Sequence, residues 1–287
     1  VNGARLASPS GDLGAAAVLS ATAARRGGWR ARWHAFGGTS ITGVILFIAA
    51  WETAVDVLHV PRYIVPAPSA VFRQFGLHFP LIWKYTVVTG GETLIGFVIA
   101  VGIGVPLSML VAFSKFLERT LYPSAVTLEM VPKIAFAPLF VTWFGFGFVP
   151  KMIIVFMVCF FPILLNGILA FRSLAPELIH FSQSTGAGVW TMFWRIRVPA
   201  ALPQIFVGLK GAATNATVGA VISEWIGGDA GLGYYLQIAT GDLRTDLSFG
   251  IIAMLAALGL VLFYLVTAAE RRLIPWHVSQ RVAGQTA

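Results

Sequence analysis

The stretch RSLAPELIHFSQSTGAGVWTMFWRIRVPAALPQIFVGL, Arg172–Leu209, separates two long apolar runs and is unlike either of them. Pro176 suits the first turn of a helix, where its missing N–H is no loss. Gly186 and Gly188 supply the backbone freedom that a helix end needs. A second short helix is predicted over Val189–Arg197, with Pro199 limiting its continuation. On it Trp190, Phe193 and Trp194 stand at i, i+3 and i+4 and form one cluster. The segment reads as a helix–turn–helix with an aromatic surface, outside a bilayer. An exposed apolar surface of this kind calls for a partner.

The rest of the chain says why a bilayer enters at all. Of 287 residues, 57% are hydrophobic and 11% charged. Soluble domains carry roughly 25% charged residues. The net charge of +8 can signal nucleic acid, but the apolar runs exclude that class here and point to basic loops beside a membrane. Cys159 is the single cysteine, so no disulfide forms within the chain, and the five histidines are scattered. No metal site is expected.

The expected fold is all-α and polytopic, with six transmembrane helices over residues 40–58, 85–113, 121–144, 150–171, 201–225 and 249–269. Residues 1–38 form a basic, disordered tail, 39–272 the membrane domain, with the connecting loop at 172–200, and 273–287 a C-terminal tail. Met152–Phe171 holds no charged residue over a length that crosses a core of about 30 Å. Six spans put both termini on one side. That side carries 13 Lys and Arg against 5 opposite, so the termini and the 172–200 loop face the cytoplasm.

Gly186, followed at a fixed distance by Ile196-Arg197-Val198-Pro199, resembles the signature loop of binding-protein-dependent ABC importer permeases. That loop is the coupling helix that enters a groove on a cytoplasmic ATPase. Its Glu-Ala-Ala triplet is replaced here by His180, Phe181 and Ser182. Three more blocks are similar to the nitrate/sulfonate/taurine branch: Pro66–Ser69, Pro132 through Trp143-Phe144-Gly145, and Gly231–Tyr234. Four blocks in order cover about residues 60–275. The resemblance implies the type I importer (MetI-like) permease fold and a bacterial cytoplasmic (inner) membrane location. It implies a homodimer with a second permease chain, two ABC ATPase subunits that bind ATP and Mg, and an external solute-binding protein. This chain itself would hold no cofactor and perform no catalysis. The implied ATPase-docking surface comprises Glu177, His180, Phe181, Ser182, Gly186, Ala187, Gly188 and Trp190.

Polar residues inside apolar runs are costly and mark pathways or interhelical contacts. Glu92, Glu129, Lys133, Asn166, Asn215 and Glu224 are the candidates for the translocation pathway. Glu129 and Lys133 flank Pro132 at i and i+4, a spacing that allows mutual neutralisation. Lys210, shallow in its span, is expected to snorkel. Gly208, Gly211, Ala212, Ala213, Thr214 and Gly219 form a small-residue wall suited to a helix or subunit interface. The Gly227–Gly233 stretch lacks a Walker lysine and reads as an external turn rather than a phosphate loop. Sulfonate and nitrate permeases often carry Arg where Glu92 falls. The acid instead resembles the subgroup linked to heterocyclic vitamin precursors such as thiamine pyrimidines or riboflavin, so the resemblance implies as solute such a precursor or a nitrate/sulfonate/taurine-type one. A secondary transporter using Glu92, Glu129 and Glu224 as ion sites is the rival, though internal repeats are missing. An intramembrane enzyme would need a nucleophile–base pair that the spans do not offer.

Overall fold

The computed structural model describes residues 42–173 and 188–276. A first helix, α1, covers 42–57. It is followed by a turn in which the Val65 N–H donates to the Pro61 carbonyl. Glu52 on α1 accepts from the Ser69 hydroxyl at 2.5 Å and from the Ser69 N–H at 3.0 Å. This stretch, with 65–69, forms one compact unit, and the helices from Ala70 onward form the other.

The described elements after α1 are α2 (Pro68–Leu77, whose first two residues belong to the first unit), α3 (Phe79–Phe113), α4 (Lys115–Met130), a 3-10 turn (Lys133–Phe136), α5 (Ala137–Phe144) and α6 (Phe148–Arg172). Then come α7 (Val189–Met192), a π turn (Phe193–Arg197), α8 (Val198–Gly227), α9 (Leu232–Gly241) and α10 (Thr245–Leu273). Among the described residues four helices are long and apolar enough to cross a membrane, and α4 with the 3-10 turn and α5 makes a fifth if the bent pair counts as one span. The first expected span falls on α1, of which sixteen residues are described.

Helix α6 is the axis of the bundle. Glycines let its neighbours approach: a Cβ on Gly96 of α3 would lie 2.6 Å from Val155, and one on Gly208 of α8 would lie 2.5 Å from Asn166. The pairings Gly96–Val155 and Gly104–Ile163 make α3 and α6 parallel, whereas Gly208–Asn166 and Gly219–Val158 make α8 antiparallel to α6. Helix α10 runs back along α8, with Gly259 against Thr217 and Glu270 against Lys210. One end of the bundle therefore carries Ser114, Ser173 and Gly188 (the elbow end). The other carries Gly147 and Gly228–Gly231 (the loop end). Between them lies a core of Val155, Cys159, Ile163, Ile205, Ala212, Ala213, Ala216 and Ala220. The small-residue wall thus packs within the chain, while Gly211 and Thr214 stay on the exposed side of α8.

Three sequence expectations change. The third span is not a kinked rod: it breaks at Val131-Pro132 and turns by 78°. Pro132 has no N–H, and the chain answers with a 3-10 turn rather than a bend. Pro199 does not stop the helix begun at Val189. A π turn intervenes, in which the Val198 N–H reaches back to the Phe193 carbonyl, and Pro199 enters the first turn of α8, where no donor is needed. Leu232–Gly241, part of the expected external connection, is a helix.

Candidate functional site

At the loop end, three elements bring charges into the interior. Lys151, in the first turn of α6, is 2% exposed, as is Glu92 of α3, and Glu224 near the end of α8 is fully buried. The Lys151 ammonium donates to Glu92 Oε1 at 3.0 Å, to the Ala230 carbonyl at 3.0 Å and to Asp229 Oδ1 at 3.4 Å. All three of its donors are thereby used, which a buried ammonium needs. Asp229 is the exposed member, so the knot reaches solvent through it.

Glu224 ties the same knot to α9. Its Oε1 accepts from the Thr89 hydroxyl at 2.7 Å, and its Oε2 accepts from the Gly233 N–H at 2.5 Å. The Thr89 oxygen in turn accepts from the Leu232 N–H at 2.7 Å. The first N–H groups of α9 are therefore capped by side chains from α3 and α8 rather than by its own preceding residues. Gly231 has φ +125°, and a Cβ there would lie 2.1 Å from Glu224 Oε1. A Cβ on Gly233 would sit 2.8 Å from Oε2. Both glycines exist so that the backbone can close on the carboxylate. Tyr85 of α3 packs on Tyr234 and Tyr235 beside them, with ring centroids 6.3 and 5.3 Å apart. Burial raises the Tyr235 phenol above its ordinary range.

The six polar candidates are not one site. Glu92 and Glu224 come together through this knot. Asn166 sits at the α6–α8 seam, its amide donating to the Pro162 carbonyl at 2.8 Å. Asn215 lies on the exposed side of α8. Lys133 donates to the Glu129 backbone carbonyl at 2.6 Å and lies over the Phe161 ring, 5.4 Å from its centroid. It caps the broken end of α4 rather than meeting the Glu129 carboxylate as the i, i+4 spacing suggested, because the break at Pro132 redirects the chain. Lys210, expected to reach toward the membrane surface, pairs with the buried Glu270 of α10 at 2.5 Å. Lys151 was missed as a site residue. Close to a span terminus, it reads as an ordinary loop cation, and only the packing of α6 against α3 reveals its partners.

The elbow end has the opposite character. Phe193 is 2% exposed, its ring 3.9 Å from that of Phe113 and 5.7 Å from that of Phe171. It pins the elbow onto the ends of α3 and α6. Trp190 and Trp194 pack edge to face at 5.7 Å but stay exposed, as does Val189. Arg172 pairs with Glu118 at 2.9 Å and lies over the Tyr122 ring. Among the proposed docking residues, Gly188 and Trp190 are both exposed at the start of α7. Glu177, His180, Phe181, Ser182, Gly186 and Ala187 lie outside the described residues.

Comparison with known proteins adds four findings. A family model described as binding-protein-dependent transport system inner membrane component matches residues 104–275. The riboflavin transport system permease protein RibX of Chloroflexus aurantiacus is 34% identical over 252 residues, covering 87% of this chain and 93% of that protein. The formylaminopyrimidine transport permease protein ThiX of Halalkalibacterium halodurans is 30% identical over 237 residues, covering 82% and 94%. Among solved structures, an inward-facing MetNI methionine ABC transporter chain superposes with a TM-score of 0.55 at 18% identity, covering 69% of this chain and 96% of that one, a likeness of fold.

Proposed function

The chain belongs to the family of binding-protein-dependent transport system inner membrane components, and on that footing we propose how it works and what it carries. It is the membrane-spanning permease of an ABC importer, and ATP hydrolysis belongs to a separate subunit. Two copies form the gated pathway. A pair of ATPases, holding ATP and Mg, docks at the elbow end, and an external binding protein delivers the solute at the loop end. The elbow end then faces the cytoplasm. The charge count supports this orientation more strongly once Lys151, buried in its knot, is taken off the opposite side.

The observation that carries the reading is the pinned elbow. Phe193 locks α7 onto α3 and α6, so a push on exposed Trp190 and Trp194 is transmitted into two spans at once. Closure of the ATPase pair would bring the two elbows together, and rigid-body motion of the bundles would open the pathway outward. The knot at the loop end holds α3, α6, α8 and α9 as one body during that motion. Glu177, His180, Phe181, Ser182, Gly186 and Ala187 complete the docking surface with Gly188 and Trp190. The solute is a heterocyclic vitamin precursor, of the class named for the riboflavin and formylaminopyrimidine relatives.

The test is uptake into proteoliposomes holding the permease, its ATPase and its receptor. Uptake that requires ATP inside and receptor outside supports the importer. Uptake driven by a proton or sodium gradient without ATPase would establish the secondary transporter instead.

A further inference from the structure

The charges buried in the loop-end knot do not balance. Lys151 and Glu92 are each 2% exposed, and Glu224 is fully buried. Fully ionised, the three would set two carboxylates against one ammonium. Among the described residues, the charged groups acting on the two acids, besides each other, are Lys151 of α6 and Asp229 of the loop. Asp229 adds a further negative charge, but it stands in solvent, where water weakens its field. The buried surplus has no second cation to meet.

The carboxyl oxygens show the same excess. Glu92 Oε1 accepts from the Lys151 ammonium. Glu224 Oε1 accepts from the Thr89 hydroxyl, and Glu224 Oε2 from the Gly233 N–H. Glu92 Oε2 is buried and has no donor. Its carboxyl nevertheless lies within hydrogen-bonding range of the Glu224 carboxyl. Two ionised carboxylates so placed offer each other only lone pairs, and away from water they repel strongly. A buried acceptor without a donor is unfavourable in its own right.

One proton removes both faults. With it, one COOH and one COO⁻ stand where two COO⁻ groups would be, and the orphaned oxygen gains a hydrogen bond. A metal ion fits the place poorly. An O–H and an N–H already point their positive ends at Glu224, and the Lys151 ammonium is 3.0 Å from Glu92 Oε1.

We propose that Glu92 and Glu224 share a single proton, held between Glu92 Oε2 and the Glu224 carboxyl. It is a second tie between α3 and α8, beside the Thr89 hydroxyl. The pair then carries one negative charge, which Lys151 balances. Because neither acid is open to solvent, the proton is a fixed part of the structure. The inference goes beyond the importer reading and does not rest on it.

Infrared difference spectroscopy on the permease–ATPase complex in nanodiscs at neutral pH tests it. Spectra are taken as wild type minus variant, so that the carboxyls of the ATPase cancel. Subtracting Glu92→Gln should leave the carbonyl stretch of a protonated carboxylic acid. Subtracting Glu224→Gln should leave the same band, because the one proton belongs to both acids. Subtracting Glu118→Gln, whose acid pairs with Arg172, should leave carboxylate bands only. Unfolding gives a second readout. A glutamine at 92 can turn its oxygen to Lys151 and its amide to Glu224, so Glu92→Gln should unfold within about threefold of the wild-type rate. Glu92→Leu, which neither donates nor accepts, should unfold about tenfold faster or more. Should Glu224→Gln fail to assemble, the Glu92→Gln spectrum decides alone. Absence of the acid band from that spectrum overturns the proposal. So does a Glu92→Gln protein that unfolds as fast as Glu92→Leu, since its amide then finds no acceptor. The band is read whether or not the complex transports, so the importer reading stands or falls separately.

Discussion

The two ends of the bundle handle charge in opposite ways. At the loop end Lys151, Glu92 and Glu224 are buried and bonded to one another's helices or to the backbone of α9. At the elbow end the pair Arg172–Glu118 is partly exposed, and the aromatic residues Trp190 and Trp194 lie open. A buried ion pair contributes little net stability, but removing one partner strands a charge. The loop end is therefore intolerant of change and fixed in geometry. The elbow end is tolerant in folding and open for contact. The difference separates a part that must hold its shape from a part that must engage something else.

The contrast is broken most severely by Lys151→Met. It leaves Glu92 without its counter-ion and should cost about 3–5 kcal/mol in stability. Reversible unfolding in mixed micelles measures it, and the double variant Lys151→Met/Glu92→Leu should recover most of the loss. Equal stability of the single variant would mean that the knot does not hold the helices.

A smaller effect is expected from Glu224→Gln. The amide oxygen can still accept one bond, but its NH2 then faces the second donor, the Thr89 hydroxyl or the Gly233 N–H, at a cost of about 1–3 kcal/mol. Hydrogen exchange should quicken at the amides of Leu232 and Gly233 while the middle of α6 stays protected. Smallest of all is Glu118→Gln at the elbow end, which should change stability by less than about 1 kcal/mol, as exposed pairs do. A loss as large as that of Lys151→Met would erase the distinction between the ends.

Much of this was legible in the sequence, for reasons that differ by residue. Charge-free runs such as Met152–Phe171 mark spans because a bilayer tolerates little else. Glu92 and Glu224 were visible as acids where acids are rare, and the glycines at Gly231 and Gly233 as a turn. Lys151 was not legible as their partner, since the pairing depends on α6 lying beside α3, fifty-nine residues away in sequence. Gly208 and Gly219 announced close packing but not with which helix. Pro132 and Pro199 announced interruptions. The outcome, a 78° break in one case and a π turn in the other, was set by the packing of the neighbouring helices. Lys210 looked like a snorkelling side chain because its partner Glu270 lies on the last helix.

The most direct test of the elbow as the point where work enters the bundle is the double variant Trp190→Ala/Trp194→Ala in the complete transporter. Both side chains are exposed, so unfolding should change little. ATP-driven uptake should fall about tenfold or more, as loss of aromatic anchors at an interface does, and the ATPase should co-purify less well. Unchanged uptake with unchanged ATPase association would place the coupling surface elsewhere and contradict the proposed transmission.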